Sequence, residues 1–300
     1  MPARLICGNI NDLDPGNLKA TLKDARINQL DTAARYKNGE SERKIGSANL
    51  PKDFNIDTKI DPGANGEGSL APKAIEKSLA SSLRGLGVES VNILYCHAPD
   101  YVTPIALQAK AFDEHYRKGA FTHLGVSNFP PSMIEEWLSI SEQEGYVKPS
   151  VFQGQYNLLC RGYEETLFPL LRKHDMIFNA FSPLAGGFLL ANFTADGVQA
   201  GSRFAQAANF RGWYDRPSMH EAVKRLRQMA AEAGVGMDEL ALRWIVYHSA
   251  LSDKDGVILG ASRIQQLENN LAQIKKGPLE EGVVQQLNEL WEGVKHEAEF

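Results

Sequence analysis

The stretch Val91-Asn92-Ile93-Leu94-Tyr95-Cys96-His97 is apolar almost from end to end and then stops on a polar side chain. A strand with one face in water alternates polar and apolar residues. A strand covered on both faces, as in a parallel sheet between helices, reads as a continuous apolar run. Working outward, residues 4–10, 27–32, 54–60, 121–127, 150–156, 176–182 and 256–260 read as strands too. The segments between them have helical periodicity. Ile75, Leu79, Leu83 and Leu86 share one face of a 3.6-residue period, as do Met237, Leu240, Ala241, Trp244 and Ile245, and Val283, Leu287, Leu290, Trp291 and Val294. Asp61-Pro62-Gly63, Pro130-Pro131, Gly186-Gly187 and Gly277-Pro278 punctuate the chain as turns. Strand then helix, repeated eight times, predicts parallel βαβ units.

The polar residues at the strand ends sharpen this. Asp31, Lys59, His97, Ser127, Gln153 and Phe181 are separated by 28, 38, 30, 26 and 28 residues. One βαβ step takes about 30 residues, so all six project from the same end of the sheet. The expected fold is an α/β (β/α)8 TIM barrel with additional C-terminal helices and a long loop after strand 7, whose chemistry sits at the carboxyl end. A doubly wound sheet is the rival. Its best support, Gly63-Ala64-Asn65-Gly66-Glu67-Gly68, follows a strand but has the glycine order reversed from a dinucleotide fingerprint, and reads as a flexible surface loop. A prior of about 150 residues per domain would divide the chain in two; the strand spacing instead predicts a single barrel domain over residues 1–300.

Composition excludes other classes. There are 32 Lys+Arg against 37 Asp+Glu, a net charge of −5, so no basic footprint marks a nucleic-acid or membrane-surface partner. Cys7, Cys96 and Cys160 are scattered and odd in number, which argues against a disulfide framework and a clustered metal site. The first apolar stretch is too short for a secretory signal, and no long apolar run predicts a membrane span. The expectation is a soluble, cytoplasmic protein without a metal. Walker, His-Glu-x-x-His and Gly-x-Ser-x-Gly motifs are absent from the sequence.

Singly, the strand-end residues have ordinary readings: Asp31 as a turn cap, Lys59 as a solvent-reaching lysine, His97 as a structural histidine, Tyr36 as a loop aromatic. At one barrel mouth they form a complementary set. A tyrosine can protonate a developing alkoxide if a neighbouring cation favours its phenolate, and Lys59 is such a cation. An aspartate keeps that lysine charged and in place, and a neutral histidine can hold the carbonyl oxygen. None of these groups carries a hydride, so the chemistry requires a cofactor.

Here the chain resembles the aldo-keto reductases, most closely the aflatoxin-aldehyde reductase branch. The resemblance rests on Leu30-Asp31-Thr32-Ala33-x-x-Tyr36, Thr58-Lys59, Tyr95-Cys96-His97-Ala98-Pro99-Asp100, Gly125-Val126-Ser127-Asn128-Phe129, Gln153-Gly154-Gln155-Tyr156-Asn157, Ser182-Pro183-Leu184-Ala185-Gly186-Gly187 and Ile258-Leu259-Gly260-Ala261-Ser262. It implies a catalytic Asp31–Tyr36–Lys59–His97 tetrad with Tyr36 as proton donor. It further implies that Ser127, Asn128 and Gln153 hold a nicotinamide carboxamide, that Phe181 stacks on the ring where the family commonly has tyrosine, and that Ser182, Leu184 and Gly260 line the cofactor. Ser262 and Arg263, at the start of the last strand's helix, suit a phosphate and favour NADPH/NADP+. Gln266 and Asn270, four apart, face the adenosine half.

The resemblance implies reduction of an aldehyde or ketone to the alcohol. Two alternatives stay open: a nicotinamide-binding regulatory module like the channel β-subunits of this fold, and an oxidation or dehydration step in secondary metabolism. Residues 185–216 carry little periodicity and many aromatics, which reads as a lid or binding loop. Phe210, Arg211 and Trp213 are its candidate substrate contacts. The branch tends to carry arginines here and at its terminus for acidic substrates. Arg203, Arg211 and Arg216 are available, but Trp213 stands where an arginine is expected and the chain closes Ala298-Glu299-Phe300, which weighs against a carboxylate-bearing substrate. Asn9 replaces the family's small or thioether residue near the nicotinamide. Partners are a small-molecule carbonyl compound and, since members of the branch often pair, a homodimer that no residue here selects.

Overall fold

The computed structural model describes residues 2–8, 13–194, 197–199, 203–206 and 208–298. Seven strands follow one another in the chain: β1 (Arg4–Gly8), β2 (Gln29–Asp31), β3 (Asn55–Lys59), β4 (Val91–Cys96), β5 (Phe121–Ser127), β6 (Pro149–Gln155) and β7 (Ile177–Phe181). The short strands β8 (Phe193–Thr194) and β9 (Gly197–Val198) pair apart as an antiparallel hairpin, and β10 (Gly256–Gly260) completes the barrel. The order is β1-β10-β7-β6-β5-β4-β3-β2, closed and parallel at every seam. The eighth-to-first closure runs in register from Arg4 against Gly256 to Gly8 against Gly260. Each expected strand is present within one or two residues; Asn9 and Ile10 lie outside the described residues.

The helices are α1 (Pro15–Asp24), α2 (Glu40–Ser47), α3 (Pro72–Leu86), α4 (Ile105–Arg117), α5 (Pro131–Glu144), α6 (Tyr163–Thr166), α7 (Phe168–Lys173), α8 (Arg203–Gln206), α9 (Ala208–Tyr214), α10 (Pro217–Ala233), α11 (Met237–Tyr247), α12 (Ile264–Lys275) and α13 (Glu281–Val294). Pro131, expected in a turn, opens α5, where its missing N–H costs nothing and its fixed φ suits the first helical turn. The predicted faces are the buried ones: Ile75, Leu79 and Leu86 on α3, Leu240, Ala241, Trp244 and Ile245 on α11, Leu287, Leu290 and Val294 on α13.

The main core lies between strands and helices, while Ile93, Tyr95 and Val151 form a second small cluster with Ile177 at its side. The Tyr95 hydroxyl accepts from Asn179 Nδ2 of β7 at 2.8 Å. Gly125 makes that reach possible, since a Cβ there would stand 2.2 Å from the Tyr95 ring. The glycine-rich stretch is pinned rather than free: Asp100 accepts from Gly68 N–H and Leu70 N–H, both at 3.0 Å, and Gly66 sits against the Pro99 carbonyl.

The segment after β7 differs from the long loop expected. It contains a 3-10 helix (Ala185–Leu190), the β8–β9 hairpin and helices α8 and α9. Its aromatics find their apolar partners in one another. Phe188 stacks on Tyr214 at 4.9 Å and Phe193 on Phe204 at 5.3 Å, all four buried. The ordered connector is therefore what these rings build.

Candidate active site

β2 and β3 lie side by side with Asp31 opposite Asp57, so Lys59, two residues on, stands one step nearer the barrel mouth. Lys59 is 1% exposed and needs compensation there. It donates to Asp31 Oδ2 at 2.6 Å and to the Thr32 carbonyl at 2.7 Å. Burial pulls its ammonium pKa down, but Asp31, then Tyr36 and Asp57, outweigh that and hold it above its ordinary value. Lys59 stays charged.

Tyr36 comes from the turn after β2. Ala34 N–H donates to the Lys59 carbonyl at 3.2 Å and Tyr36 N–H to the Ala33 carbonyl at 3.0 Å, fastening the turn over β3. The half-buried Tyr36 ring has Lys59 Nζ 5.1 Å from its centroid and meets the His97 ring edge-on at 5.9 Å and 81°. His97 follows β4. Burial first, then Lys59 and Arg35, lowers its pKa to about 3, so the imidazole is neutral at working pH. Its Nδ1 is buried and has no hydrogen-bond partner among the described residues. An orphaned N–H is worse than an orphaned lone pair, so the proton belongs on Nε2.

The expected nicotinamide residues surround this group. Ser127 closes β5, and Asn128, held at φ 62°, donates to the His97 carbonyl at 3.2 Å and to Ser127 Oγ at 3.1 Å. Gln153 sits one layer deeper than a strand end: β6 ends at Gln155, and Gln153 Nε2 donates to Asp31 Oδ1 at 2.8 Å. Phe181, half-buried, ends β7; Ser182, at φ 54°, and Leu184 follow at the same mouth. Across it, Gly260, Ser262 and Arg263 are exposed, and no side chain caps the first turn of α12. Gln266 Oε1 accepts from Ser262 N–H at 3.3 Å, whereas Asn270 is 3% exposed and turned into the core. This set fits a dinucleotide: uncapped helical N–H groups beside an exposed guanidinium at one side, amides and an aromatic ring at the other.

Of the substrate candidates, Arg211 is exposed and donates from Nε to the Phe204 carbonyl at 2.8 Å, and Trp213 is half-buried against the core. The side chains of Phe210 and Arg203 lie outside the described residues, as do Glu299 and Phe300. Residues overlooked in the sequence are Asp57, Tyr95, Gln29 and Asn179, a buried polar layer beneath the tetrad. Asp57 was legible: two positions before Lys59 in a strand means the same face.

Comparison with known proteins gives the family. The sequence profile described as Aldo/keto reductase family matches residues 15–292. The chain is 35% identical over 284 residues to "Oxidoreductase sirO" of Leptosphaeria maculans, covering 92% of this chain and 85% of that protein. It is 36% identical over 288 residues to "Aflatoxin B1 aldehyde reductase member 2" of Rattus norvegicus, covering 90% and 78%. It is also 32% identical over 284 residues to "Probable voltage-gated potassium channel subunit beta" of Arabidopsis thaliana, covering 90% and 85%. The chain belongs to the aldo/keto reductase family and is an oxidoreductase. Among the described residues no cluster of His, Cys, Asp and Glu could hold a metal ion, and no helix is long and apolar enough to cross a membrane.

Proposed function

We propose that this chain reduces an aldehyde or ketone to the alcohol with NADPH, Tyr36 being the proton donor. The observation that carries the reading is the buried Lys59–Asp31 pair beside Tyr36, with neutral His97 at the ring edge. When bound, the cofactor supplies the hydride that the protein lacks. Tyr36 gives its hydroxyl proton to the carbonyl oxygen, and the Lys59 charge stabilises the phenolate left behind. His97 orients that oxygen by donating from Nε2. Ser127, Asn128 and Gln153 hold the carboxamide, Phe181 covers one ring face, and Ser182, Leu184 and Gly260 line the cleft. Ser262 and Arg263 take the phosphate that distinguishes NADPH from NADH, with Gln266 on the adenosine side; Asn270, buried beneath it, is not in reach. Arg211 and Trp213 border the substrate. Residues 1–300 act as one barrel domain, and Cys7, Cys96 and Cys160, none of them in a disulfide, suit a reducing cytoplasm.

Tyr36→Phe tests this. NADPH oxidation with an aldehyde panel should fall about 10²–10⁴-fold, while the NADPH Kd from fluorescence titration stays at the wild-type value. Undiminished turnover overturns the assignment. The similarity to the channel subunit favours a second reading, a cofactor-binding module docked on a partner. Wild-type protein that binds NADPH yet oxidises it with no carbonyl compound would favour that reading.

A further inference from the structure

Asp57 has no exposed surface, lies beside Asp31 in the β2–β3 register and precedes Lys59 on the same strand face. Its Oδ2 accepts from Gln29 Nε2 at 2.5 Å and its Oδ1 from Asn92 Nδ2 at 2.7 Å. One buried cation thus faces two buried carboxylates, and the hydrogen bonds of Lys59 go to Asp31 and Thr32. Two amide donors offset only part of the cost of a second anion in this interior, and a carboxyl group avoids the rest by keeping its proton.

We propose that Asp57 is a positioning residue for the proton-donating site: protonated, it leaves the Lys59 charge to Asp31 and Tyr36; ionised, it draws part of that charge away and slows proton donation. The inference rests on the reductase reading above. Burial, reinforced by Asp31, pushes the Asp57 carboxyl up to about 7 against the pull of Gln29, Asn92 and Lys59. Rising pH through neutrality therefore ionises Asp57 and slows reduction.

The neighbouring groups do not account for such a step. On β3, burial pulls the Lys59 ammonium down, but Asp31 of β2 and Tyr36 outweigh it and hold it above its ordinary value. On β4, burial holds the Tyr95 phenol well above its ordinary value, and on β1 burial and then Asp31 push the Cys7 thiol up to about 12. From the helix side, Glu42 of α2 accepts from Thr58 Oγ1 at 2.6 Å and is raised chiefly by burial. Among the described residues around Asp57 it is the rival, and it serves as the control.

The experiment is kcat for aldehyde reduction at saturating NADPH, from about pH 5 to 9, for wild type, Asp57→Asn, Gln29→Leu and Glu42→Gln. Wild type should lose about 10-fold across a step centred near neutrality. Asp57→Asn should show no step. Gln29→Leu, having lost one donor to the carboxylate, should move the step up by about one pH unit. Glu42→Gln should keep it in place. A wild-type step surviving in Asp57→Asn, or vanishing in Glu42→Gln, overturns the proposal. The carboxamide introduced by Asp57→Asn must meet two amide donors; if that variant does not fold, an unshifted step in Gln29→Leu overturns the proposal instead.

Should wild type oxidise NADPH with no carbonyl compound, the reductase reading falls by itself. The protonation of Asp57 is then read by infrared spectroscopy. A protonated-carboxyl C=O band, lost as pH rises through neutrality and missing from Asp57→Asn, supports it, and no such band in wild type overturns it.

Discussion

His97 and Asp57 pull stability in opposite directions as pH changes. His97 has its pKa lowered by burial to about 3 from an ordinary 6.5. Above 6.5 folded and unfolded chains are both neutral there. As pH falls, the unfolded chain takes a proton that the folded one refuses, so stability is lost progressively toward pH 3. Between pH 7 and 5 this amounts to about 2 kcal/mol. Asp57, raised from 3.8 to about 7, does the reverse: its contribution is fully present below 3.8 and is lost as pH rises through 7. The two slopes nearly cancel in the native chain. Replacing His97 exposes the other one. On going from pH 7 to pH 5, His97→Gln should gain about 2 kcal/mol relative to wild type in urea unfolding. A pH-independent difference between the two proteins would contradict the burial account of His97.

At the scale of elements, what could be read from the sequence is what has a period. The eight barrel strands announce themselves as apolar runs spaced by one βαβ step, and the helices by their buried faces. Gln153 was readable as a candidate site residue, but its bond to Asp31 was not, because the period along one strand does not say which side chain it meets on another. The segment after β7 has no period, since its order comes from ring against ring: Phe188 on Tyr214, Phe193 on Phe204. Tyr214 also ties the segment to the barrel. Its buried hydroxyl accepts from Gln155 Nε2 at 2.7 Å and from Asn157 Nδ2 at 3.3 Å. Tyr214→Phe keeps the ring packing and takes one acceptor from each amide, leaving Gln155 Nε2 with Cys160 Sγ at 3.5 Å and Asn157 Nδ2 with the Ser182 carbonyl at 3.2 Å, so the cost should be about 1 kcal/mol. The check is the unfolding free energy from urea melts. A variant as stable as wild type would show that Cys160 and the Ser182 carbonyl satisfy the two amides without Tyr214.

Across the whole molecule, the proposed chemistry and a source of stability sit at opposite ends of the barrel. The carboxyl end holds the proposed tetrad; the amino end holds Asp255, which is fully buried. Asp255 accepts from Arg172 Nη1 at 3.0 Å and Nη2 at 2.6 Å, from Phe178 N–H at 2.8 Å, and from Ser252 N–H at 2.6 Å and its hydroxyl at 2.8 Å. Its own carbonyl accepts from Arg4 N–H at 2.8 Å. One residue therefore joins β1, β7 and α7 at the entrance of β10. The join matters because the β7–β10 seam is short, pairing Gly256 with Asn179 and Val257 with Ala180. In Asp255→Ala the Arg172 guanidinium, 38% exposed, can turn to water. The N–H groups of Phe178 and Ser252 have no such escape, so the loss should lie at the lower end of the range for a broken buried ion pair, about 3 kcal/mol. Because the lesion is at the far end from Tyr36, kcat per folded molecule should match wild type while the urea midpoint drops. A fall in kcat at full folding would mean that the barrel transmits strain from the β7–β10 seam to the mouth, and the separation of the two ends would not hold for this protein.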